Sequence, residues 1–338
     1  MTFKTTTLLG AAAAMALLAG SASAADLACL ITKNNTNPFF VKMKEGAEAA
    51  ATAAGLDFQA YAGEKDGDAA PQITAIENCV AAGAKGILIT PSNDSVGPAL
   101  KDARAAGILV IALDTPLADT EAQDITFATD NFEAGKLIGA WAKATMGDGA
   151  ATAKIAMLDI NKDNISVDVQ RDTGFLVGFG IEVPDLTVMG SETDPRVIGH
   201  ETSDANPEGG LRAMETLLAK DPDINVVYTI NEPAAEGAYQ ALKAAGKEGQ
   251  AIIVSVDGGC PGVASVKAGT IGATSQQYPL KMASLGIEAI VAFAKDGTKP
   301  TVTEGLSFFN TGVNLVTDKP AEGVPSIDSA KGTELCWG

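Results

Sequence analysis

The feature that most constrains the fold is a unit that recurs along the chain: a short apolar run, a polar turn, then a helical pattern. In its first copy, residues 27–32 are mostly apolar and of strand length, and residues 33–37 are polar. Pro38 suits the first position of a helix, where no amide partner is needed, and apolar residues then recur at helical spacing. The unit is therefore predicted to be a strand, a turn and a helix.

Further strands are predicted from the same pattern, at residues 58–61, 86–90, 108–113, 125–128, 154–158, 186–189, 226–230, 252–256 and 271–275. Helical patterns separate most of them, which favours parallel sheets covered by helices on both faces. The units fall into two successive groups of similar size without a Ser/Gly-rich linker. This predicts an α/β protein of two lobes joined by strands.

Carboxylates or amides follow the predicted strands repeatedly, at Asn37, Asp114, Asp130, Asn131, Asn231 and Asp257. Each has a simple alternative role as a helix cap or turn residue. Their recurrence at the same end of successive strands, where open α/β sheets bind ligands, predicts one crevice lined with polar groups.

The first turn adds a mixture of groups that suits a sugar. Lys33 and Asn37 offer polar atoms for hydroxyl groups, and Phe39 and Phe40 offer flat apolar faces for a sugar ring. The alternative interpretation is a polar loop followed by two phenylalanines of the hydrophobic core.

The first 24 residues are predicted to be a secretory signal peptide. Lys4 precedes an apolar stretch at residues 8–19, and small residues at 21–24 form a cleavage site after Ala24. The apolar stretch is too short to span a membrane. The mature protein is therefore expected to be exported to the periplasm.

Charge and cysteine content narrow the function further. A net charge of -18 argues against partners with phosphate backbones, so no nucleic-acid partner is expected. Four cysteines in an exported chain (Cys29, Cys79, Cys260 and Cys336) indicate disulfides. The only histidine, His200, is placed in a polar loop as a solvated residue, and no metal site or cofactor is expected.

The sequence also argues against an enzyme. Nucleophile triads generally need a histidine base, and His200 is the only one. No glycine fingerprint for a dinucleotide follows the first strand, and the chain contains no P-loop motif.

Short motifs occur in the order seen in one known family: Asn37-Pro38-Phe39-Phe40, Val110-Ile-Ala-Leu-Asp114, Thr129-Asp130-Asn131, Asn231-Glu232, Val256-Asp257-Gly258 and Gln277. Together they resemble periplasmic sugar-binding proteins of the ribose-binding type, which serve ABC importers. Within that family the chain is most similar to the fructose-binding proteins. The resemblance extends from about residue 27 to residue 311. It implies the two-lobe periplasmic binding protein fold, each lobe a parallel sheet flanked by helices, with the ligand in the cleft between the lobes.

The resemblance also implies roles for individual residues. Asn37 would bond a sugar hydroxyl, Phe39 and Phe40 would pack on the ring, and Asp114 and Asp257 would accept from hydroxyls. The complete predicted sugar-binding set is Lys33, Asn37, Phe39, Phe40, Asp114, Asp130, Arg171, Asn231, Asp257 and Gln277.

Three positions depart from the family pattern. Thr115 and Val169 stand where the family has arginines, and Ala205 stands where it has an aromatic residue. The lost contacts would come from Asp168, Gln170 or Arg171. These departures make ribose a weaker candidate and indicate a differently shaped sugar. The resemblance favours fructose, with ribose, mannose and other pentoses or hexoses as alternatives.

The family topology implies the lobe boundaries and the disulfide pairing. Lobe one would comprise residues 25–129 and 279–309, and lobe two residues 130–278 and 310–338. Pairing within lobes gives Cys29–Cys79 and Cys260–Cys336, which leaves the hinge free.

The expected function is capture of a monosaccharide by hinge closure, followed by delivery to a membrane permease, with the protein acting as a monomer. The alternative is a periplasmic sensor that presents a sugar or an autoinducer-like ligand to a chemoreceptor or a histidine kinase. A sugar-responsive transcription regulator shares the fold, but it would carry a basic helix-turn-helix where this chain has an export signal.

Overall fold

The computed structural model describes residues 1–2 and 25–338, so the predicted signal peptide lies almost entirely outside the described residues. The strands are β1 (Leu27–Thr32), β2 (Asp57–Ala62), β3 (Gly86–Ile89), β4 (Leu109–Leu113), β5 (Ile125–Ala128), β6 (Ile155–Asp159), β7 (Val197–Thr202), β8 (Val226–Thr229), β9 (Ile252–Asp257), β10 (Ala273–Gln276), β11 (Phe309–Asn310) and β12 (Asn314–Val316).

The α-helices are α1 (Pro38–Ala54), α2 (Ala70–Ala81), α3 (Gly97–Ala105), α4 (Asn131–Met146), α5 (Ser166–Phe179), α6 (Pro207–Lys220), α7 (Glu232–Ala244), α8 (Cys260–Ala268), α9 (Pro279–Asp296) and α10 (Ser329–Leu335). Short 3-10 turns lie at Asp94–Val96, Thr120–Ala122 and Gly147–Thr152. Among the described residues, no helix has both the length and the hydrophobicity needed to cross a membrane.

The strands form two six-stranded sheets, as the alternating pattern predicts. The first has the order β11-β5-β4-β3-β1-β2 and the second β12-β10-β9-β8-β6-β7. Neighbouring strands are parallel except β12, which runs antiparallel to β10. All six residues of β1 are buried, as expected for an apolar strand covered on both faces, whereas the edge strand β2 is partly exposed. The predicted two-lobe α/β fold is confirmed.

The chain passes between the sheets three times: after β5, after β10, and between β11 and β12. Helix α9 follows β10 of the second sheet but packs in the first sheet's core, where Met282 and Ile287 join Leu88 and Ile111. The proposed lobe boundaries at residues 129, 279 and 309 stay a prediction.

Both predicted disulfides are present. Cys29–Cys79 joins β1 to α2, and Cys260–Cys336 joins the start of α8 to the residue after α10. The Cys29–Cys79 bond lies beside the first sheet, and the Cys260–Cys336 bond lies beside the second.

Helices α4 and α5 approach each other through glycines. A Cβ atom on Gly135 would lie 2.1 Å from the Arg171 carbonyl oxygen, and one on Gly139 would lie 2.1 Å from that of Phe175. Gly174 and Gly178 of α5 make the reciprocal contacts with α4. The i, i+4 spacing puts each pair on one helix face, so the two backbones can touch.

One predicted strand is wrong. Residues 186–189 form a turn, in which the Asp185 carboxylate accepts from both the Thr187 amide and the Thr187 hydroxyl. The edge strand is β7 instead, whose six residues are all only partly buried. An edge strand with mixed polarity lacks the apolar run on which the prediction relied.

Candidate ligand-binding site

A pocket lies between the two sheets, at the carboxyl ends of their strands. It is lined by nine of the ten predicted site residues, namely Lys33, Asn37, Phe39, Phe40, Asp114, Arg171, Asn231, Asp257 and Gln277. The elements that carry them belong to both sheets, so the polar strand ends do converge on one crevice.

The two phenylalanines belong both to the pocket and to the hydrophobic core, the two locations that the sequence left open. Phe39 and Phe40 line the pocket and are also buried in the first sheet's core, with their rings edge to face at 5.4 Å between centroids. Phe39 also packs against the indole of Trp337 from the C-terminal tail, at 5.5 Å.

Arg171 is the buried centre of the polar network. Its guanidinium donates to the Asn131 side chain at 2.8 Å, to the Ile230 carbonyl at 3.1 Å and to the Gln277 side-chain oxygen at 3.3 Å. It also lies 3.8 Å from a carboxylate oxygen of Asp114 and 4.0 Å from one of Asp257. The guanidinium thus stands near one carboxylate from each sheet.

Asp114 and Asp257 follow or end strands of different sheets, and their backbones have φ angles of 64° and 142°. Such angles are strained for residues with a side chain and persist where the surroundings impose them, often at functional sites. The Thr115 hydroxyl donates to one Asp114 oxygen, and Gln277 donates to Asp257, both at 2.8 Å. The other Asp114 oxygen is buried and accepts no hydrogen bond, and it is the oxygen that lies 3.8 Å from Arg171.

Burial dominates the electrostatics of Asp257 and Glu232. It raises the pKa of Asp257 to about 6, although the Arg171 charge and the Gln277 hydrogen bond oppose the rise. Burial and the nearby Asp257 charge raise the pKa of Glu232 to about 8. Glu232 accepts hydrogen bonds from the amides of Gly258 and Gly259, so it supports the turn that follows Asp257.

The two asparagines are helix caps as well as pocket residues. The Asn37 oxygen accepts from the Phe39 amide at the start of α1, and the Asn231 oxygen accepts from the Ala234 amide at the start of α7. Capping fixes the orientation of each amide group. The Asn231 nitrogen donates to the Ala205 carbonyl at 3.1 Å.

Lys33 is paired with Asp66, a pocket residue that was not among the predicted site residues. Its ammonium lies 3.8 Å from an oxygen of Asp66, whose other oxygen accepts from the Asn34 side chain. Burial raises the pKa of Asp66, and the Lys33 charge opposes this. Asp66 lies four residues after β2, so the rule that polar residues follow strands could have identified it.

Asp130 does not line the pocket. Its carboxylate accepts from the Glu133 amide and caps α4 instead. This is the simple alternative that the sequence left open for every Asp and Asn after a strand.

Of the three residues predicted to replace the lost contacts, only Arg171 lines the pocket. Asp168 is fully buried and accepts from the Ile160 amide at 2.7 Å, and neither Gln170 nor Val169 lines the pocket. Ala205 does line it, with a φ angle of 53°. Three apolar residues of the lining carried no signal in the sequence: Ile160, Val167 and Ile230.

The interpretation of His200 as a solvated loop residue is wrong, because it lies in β7 with its side chain only 21% exposed. Its ring nitrogens lie 2.9 Å from carboxylate oxygens of Asp159 and Glu192. Burial opposes the charged ring, but these two hydrogen bonds raise the pKa of His200 to about 11. This group does not line the pocket between the sheets.

Comparisons with known proteins agree with this geometry. A family described as "Periplasmic binding protein domain" matches residues 28–299. The chain is 31% identical over 271 residues to the ribose import binding protein of Haemophilus influenzae, covering 80% of this chain and 86% of that protein. It is 29% identical over 286 residues to the ribose import binding protein of Escherichia coli, covering 84% and 90%.

Solved structures share the fold. An ABC transporter solute binding protein from Agrobacterium vitis with bound D-fucose superposes with a TM-score of 0.75 at 24% identity, over 92% of this chain and 100% of that chain. The family match over most of the chain and the paired sheets agree with the motifs first noticed in the sequence. The chain therefore belongs to the periplasmic binding protein family, within its ribose-binding type.

Proposed function

We propose that the protein captures a monosaccharide in the pocket between its lobes and delivers it to the permease of an ABC importer. The observation that carries this proposal is the convergence of nine predicted polar and aromatic side chains from both sheets on one pocket. The protein acts in the periplasm as a monomer and performs no chemistry on the sugar.

The charge balance of the pocket suits a neutral polyol. Its lining holds two cationic residues, Lys33 and Arg171, and three acidic ones, Asp66, Asp114 and Asp257. Carboxylates accept from sugar hydroxyls, whereas guanidinium, ammonium and amide groups donate to hydroxyl oxygens. One buried Asp114 oxygen accepts no hydrogen bond from the described residues, and the Arg171 guanidinium 3.8 Å away is too distant to donate one. A sugar hydroxyl that reached this oxygen would satisfy a costly buried acceptor, which supports the assignment.

Closure follows from the position of the ligand. Asp114 comes from the first sheet and Asp257 from the second, so a sugar that binds both favours the closed arrangement of the lobes over the open one. The hinge consists of the three chain crossings, with lobe one as residues 25–129 and 279–309 and lobe two as residues 130–278 and 310–338.

Fructose is the first candidate ligand. The relatives reported above bind ribose by name, and one structural neighbour holds D-fucose. The motifs of the chain are most similar to those of fructose-binding proteins, and Ala205 replaces an aromatic residue of the ribose-binding pattern in the lining of the pocket. Thr115 and Val169, which replace two arginines of that pattern, do not line the pocket. Ribose, mannose and other pentoses or hexoses are the competing ligands.

A thermal-shift screen tests the proposal. Purified protein is unfolded and refolded to release any retained sugar, then heated with fructose, ribose, mannose, xylose, glucose, galactose and allose. A ligand that binds only the folded state stabilises it by about 2.7 kcal/mol at a hundredfold excess over the dissociation constant. We expect one sugar to raise the melting temperature, and Asp114→Ala and Asp257→Ala to abolish the shift. The absence of a shift with every sugar would contradict the proposal.

A further inference from the structure

A second polar cluster lies in the second sheet, away from the pocket between the lobes. It comprises Asp159 at the end of β6, Asp172 in α5, Glu192 before β7, and His200 in β7. We call it the β6–β7 cluster. None of its four members lines the pocket described above.

The β6–β7 cluster holds buried carboxylate oxygens that lack a donor. Asp172 is 0% exposed and neither of its oxygens has a hydrogen-bond partner. One oxygen of Asp159 and one of Glu192 are also buried and unpaired. Buried carboxylate oxygens without a donor are costly, so a cation that reached these oxygens would satisfy them.

Two of the separations among three of these groups match metal coordination. The His200 Nδ1 atom lies 2.9 Å from an Asp159 oxygen and 3.4 Å from an Asp172 oxygen, and the three groups' ligand atoms all lie within 4.8 Å of one another. With metal–ligand bonds of about 2.0–2.2 Å, neighbouring ligands of a tetrahedral or octahedral ion lie about 2.8–3.6 Å apart. The two measured separations fall within this range.

Glu192 completes the arrangement from the other side of the imidazole ring. Its carboxylate lies 2.9 Å from His200 Nε2. Histidines that bind metals almost always donate their second ring N–H to a carboxylate or carbonyl, which fixes the tautomer and the ring orientation. An ion that displaces the Nδ1 proton would leave the Nε2 proton on its bond to Glu192 and would use the Nδ1 lone pair, which points toward Asp159 and Asp172.

An ion could reach this position. Asp159 and His200 line a surface cavity of about 330 Å³, which Glu201 also lines. Water in this cavity can fill the coordination positions that the protein leaves open. Asp172 closes the site from the buried side.

We propose that Asp159, Asp172 and His200 bind a divalent transition-metal ion of the Zn²⁺ class, with Glu192 as the residue that positions the histidine. One imidazole and two carboxylates suit Zn²⁺ better than Ca²⁺, which prefers six to eight oxygen ligands. The ion joins β6, β7 and α5, the helix that carries Arg171 of the ligand pocket.

The single histidine makes the test direct. Protein without a histidine tag is stripped with EDTA, and Zn²⁺ alone is added while the ¹⁵N resonances of the His200 ring are recorded. We expect Nδ1 to become metal-bound and Nε2 to stay protonated, with saturation at one ion per chain. A ring that keeps protons on both nitrogens in excess Zn²⁺ would show a simple ion-pair network and overturn the proposal.

Variants assign the ligands. Glu192→Gln is expected to weaken Zn²⁺ binding by about 10–100-fold. Asp172→Asn preserves the shape of the buried side chain and is expected to weaken Zn²⁺ binding at least as much. The matched control is Glu201→Gln. Glu201 lines the same cavity, but its carboxylate pairs with Lys220. Circular dichroism and cooperative thermal unfolding report whether each variant is folded. Unchanged Zn²⁺ affinity in folded Asp172→Asn, or an equal loss in Glu201→Gln, would refute the assignment.

Discussion

Asp114 and Asp257 combine three properties that a residue retained only for stability would not need. Both have positive φ angles, both are buried, and both lie near the single guanidinium of Arg171. Strain of this kind typically costs on the order of 1–3 kcal/mol per residue. The arrangement is understandable if the two carboxylates are held ready for a ligand's hydroxyl groups.

The raised pKa of Asp257 predicts how stability depends on pH. Its folded-state pKa is about 6, against the ordinary aspartate pKa of 3.8, so the folded protein retains a proton that the unfolded chain has lost between these values. The free energy of unfolding of the sugar-free protein should therefore fall as pH rises from about 4 to 6, by up to about 1.4 kcal/mol per pH unit for this group.

Urea unfolding at a series of pH values measures this slope. In Asp257→Asn the slope should be shallower than in the wild type over the same interval, because that proton no longer titrates. Parallel curves for the two proteins would show that Asp257 titrates normally in the folded state.

At the scale of the elements, the position of Arg171 depends on how closely α4 and α5 approach. A Cβ on Gly135 would meet the Arg171 carbonyl oxygen at 2.1 Å, so Gly135→Ala must push the two helices apart. Overpacking of this kind costs about 1–3 kcal/mol. Gly149→Ala is the control, because its nearest neighbour would be a methionine methyl group at 3.9 Å.

We expect Gly135→Ala to lower both the free energy of unfolding and the sugar affinity, and Gly149→Ala to change neither appreciably. Denaturant unfolding and calorimetric titration of the two variants check this. An affinity loss of similar size in both variants would remove the link between helix spacing and Arg171.

The elements also show why sequence predicts some of this fold and not the rest. Strands covered on both faces, such as β1 and β3, are apolar runs that the pattern identifies directly. The edge strand β7 has no such run, and the exposed turn at residues 186–189 imitates one. Errors therefore fell where burial on two faces no longer imposes a pattern.

The residues of the candidate site also include some that the sequence predicts and some that it does not. Residues that directly follow strands, such as Asp114 and Asn231, were identified because the fold brings strand ends together. Asp130 follows a strand too, but its carboxylate turns to cap its own helix. The apolar lining residues Ile160 and Ile230 could not be distinguished from core residues, because spacing alone does not reveal which apolar side chain borders a cavity.

At the scale of the whole molecule, the C-terminal tail connects the two lobes. Disulfide-bonded Cys336 holds it to α8, whereas the next residue, Trp337, packs its ring on Phe39 of α1 and donates to the Gln277 carbonyl at 2.8 Å. Opening of the cleft would separate this indole from Phe39. The tail thus places an aromatic reporter at the contact between lobes.

Ligand binding should therefore change the tryptophan fluorescence through Trp337. The chain has two tryptophans, and the other, Trp141, is buried in the second sheet's core. We expect the sugar-induced change to be lost in Trp337→Phe and kept in Trp141→Phe. Retention of the full change in Trp337→Phe would show that this contact does not respond to the ligand.

The central claim is that one sugar is held by side chains from both lobes, and a calorimetric titration of the refolded protein tests it most directly. Asn37→Ser and Asn231→Ser each keep a capping oxygen but remove an amide from one side of the pocket. We predict one sugar per chain for the wild type and an affinity loss of at least about tenfold in each variant, as for about 1.4 kcal/mol of lost binding energy. Binding that is unaffected by either substitution would contradict a ligand held between the lobes.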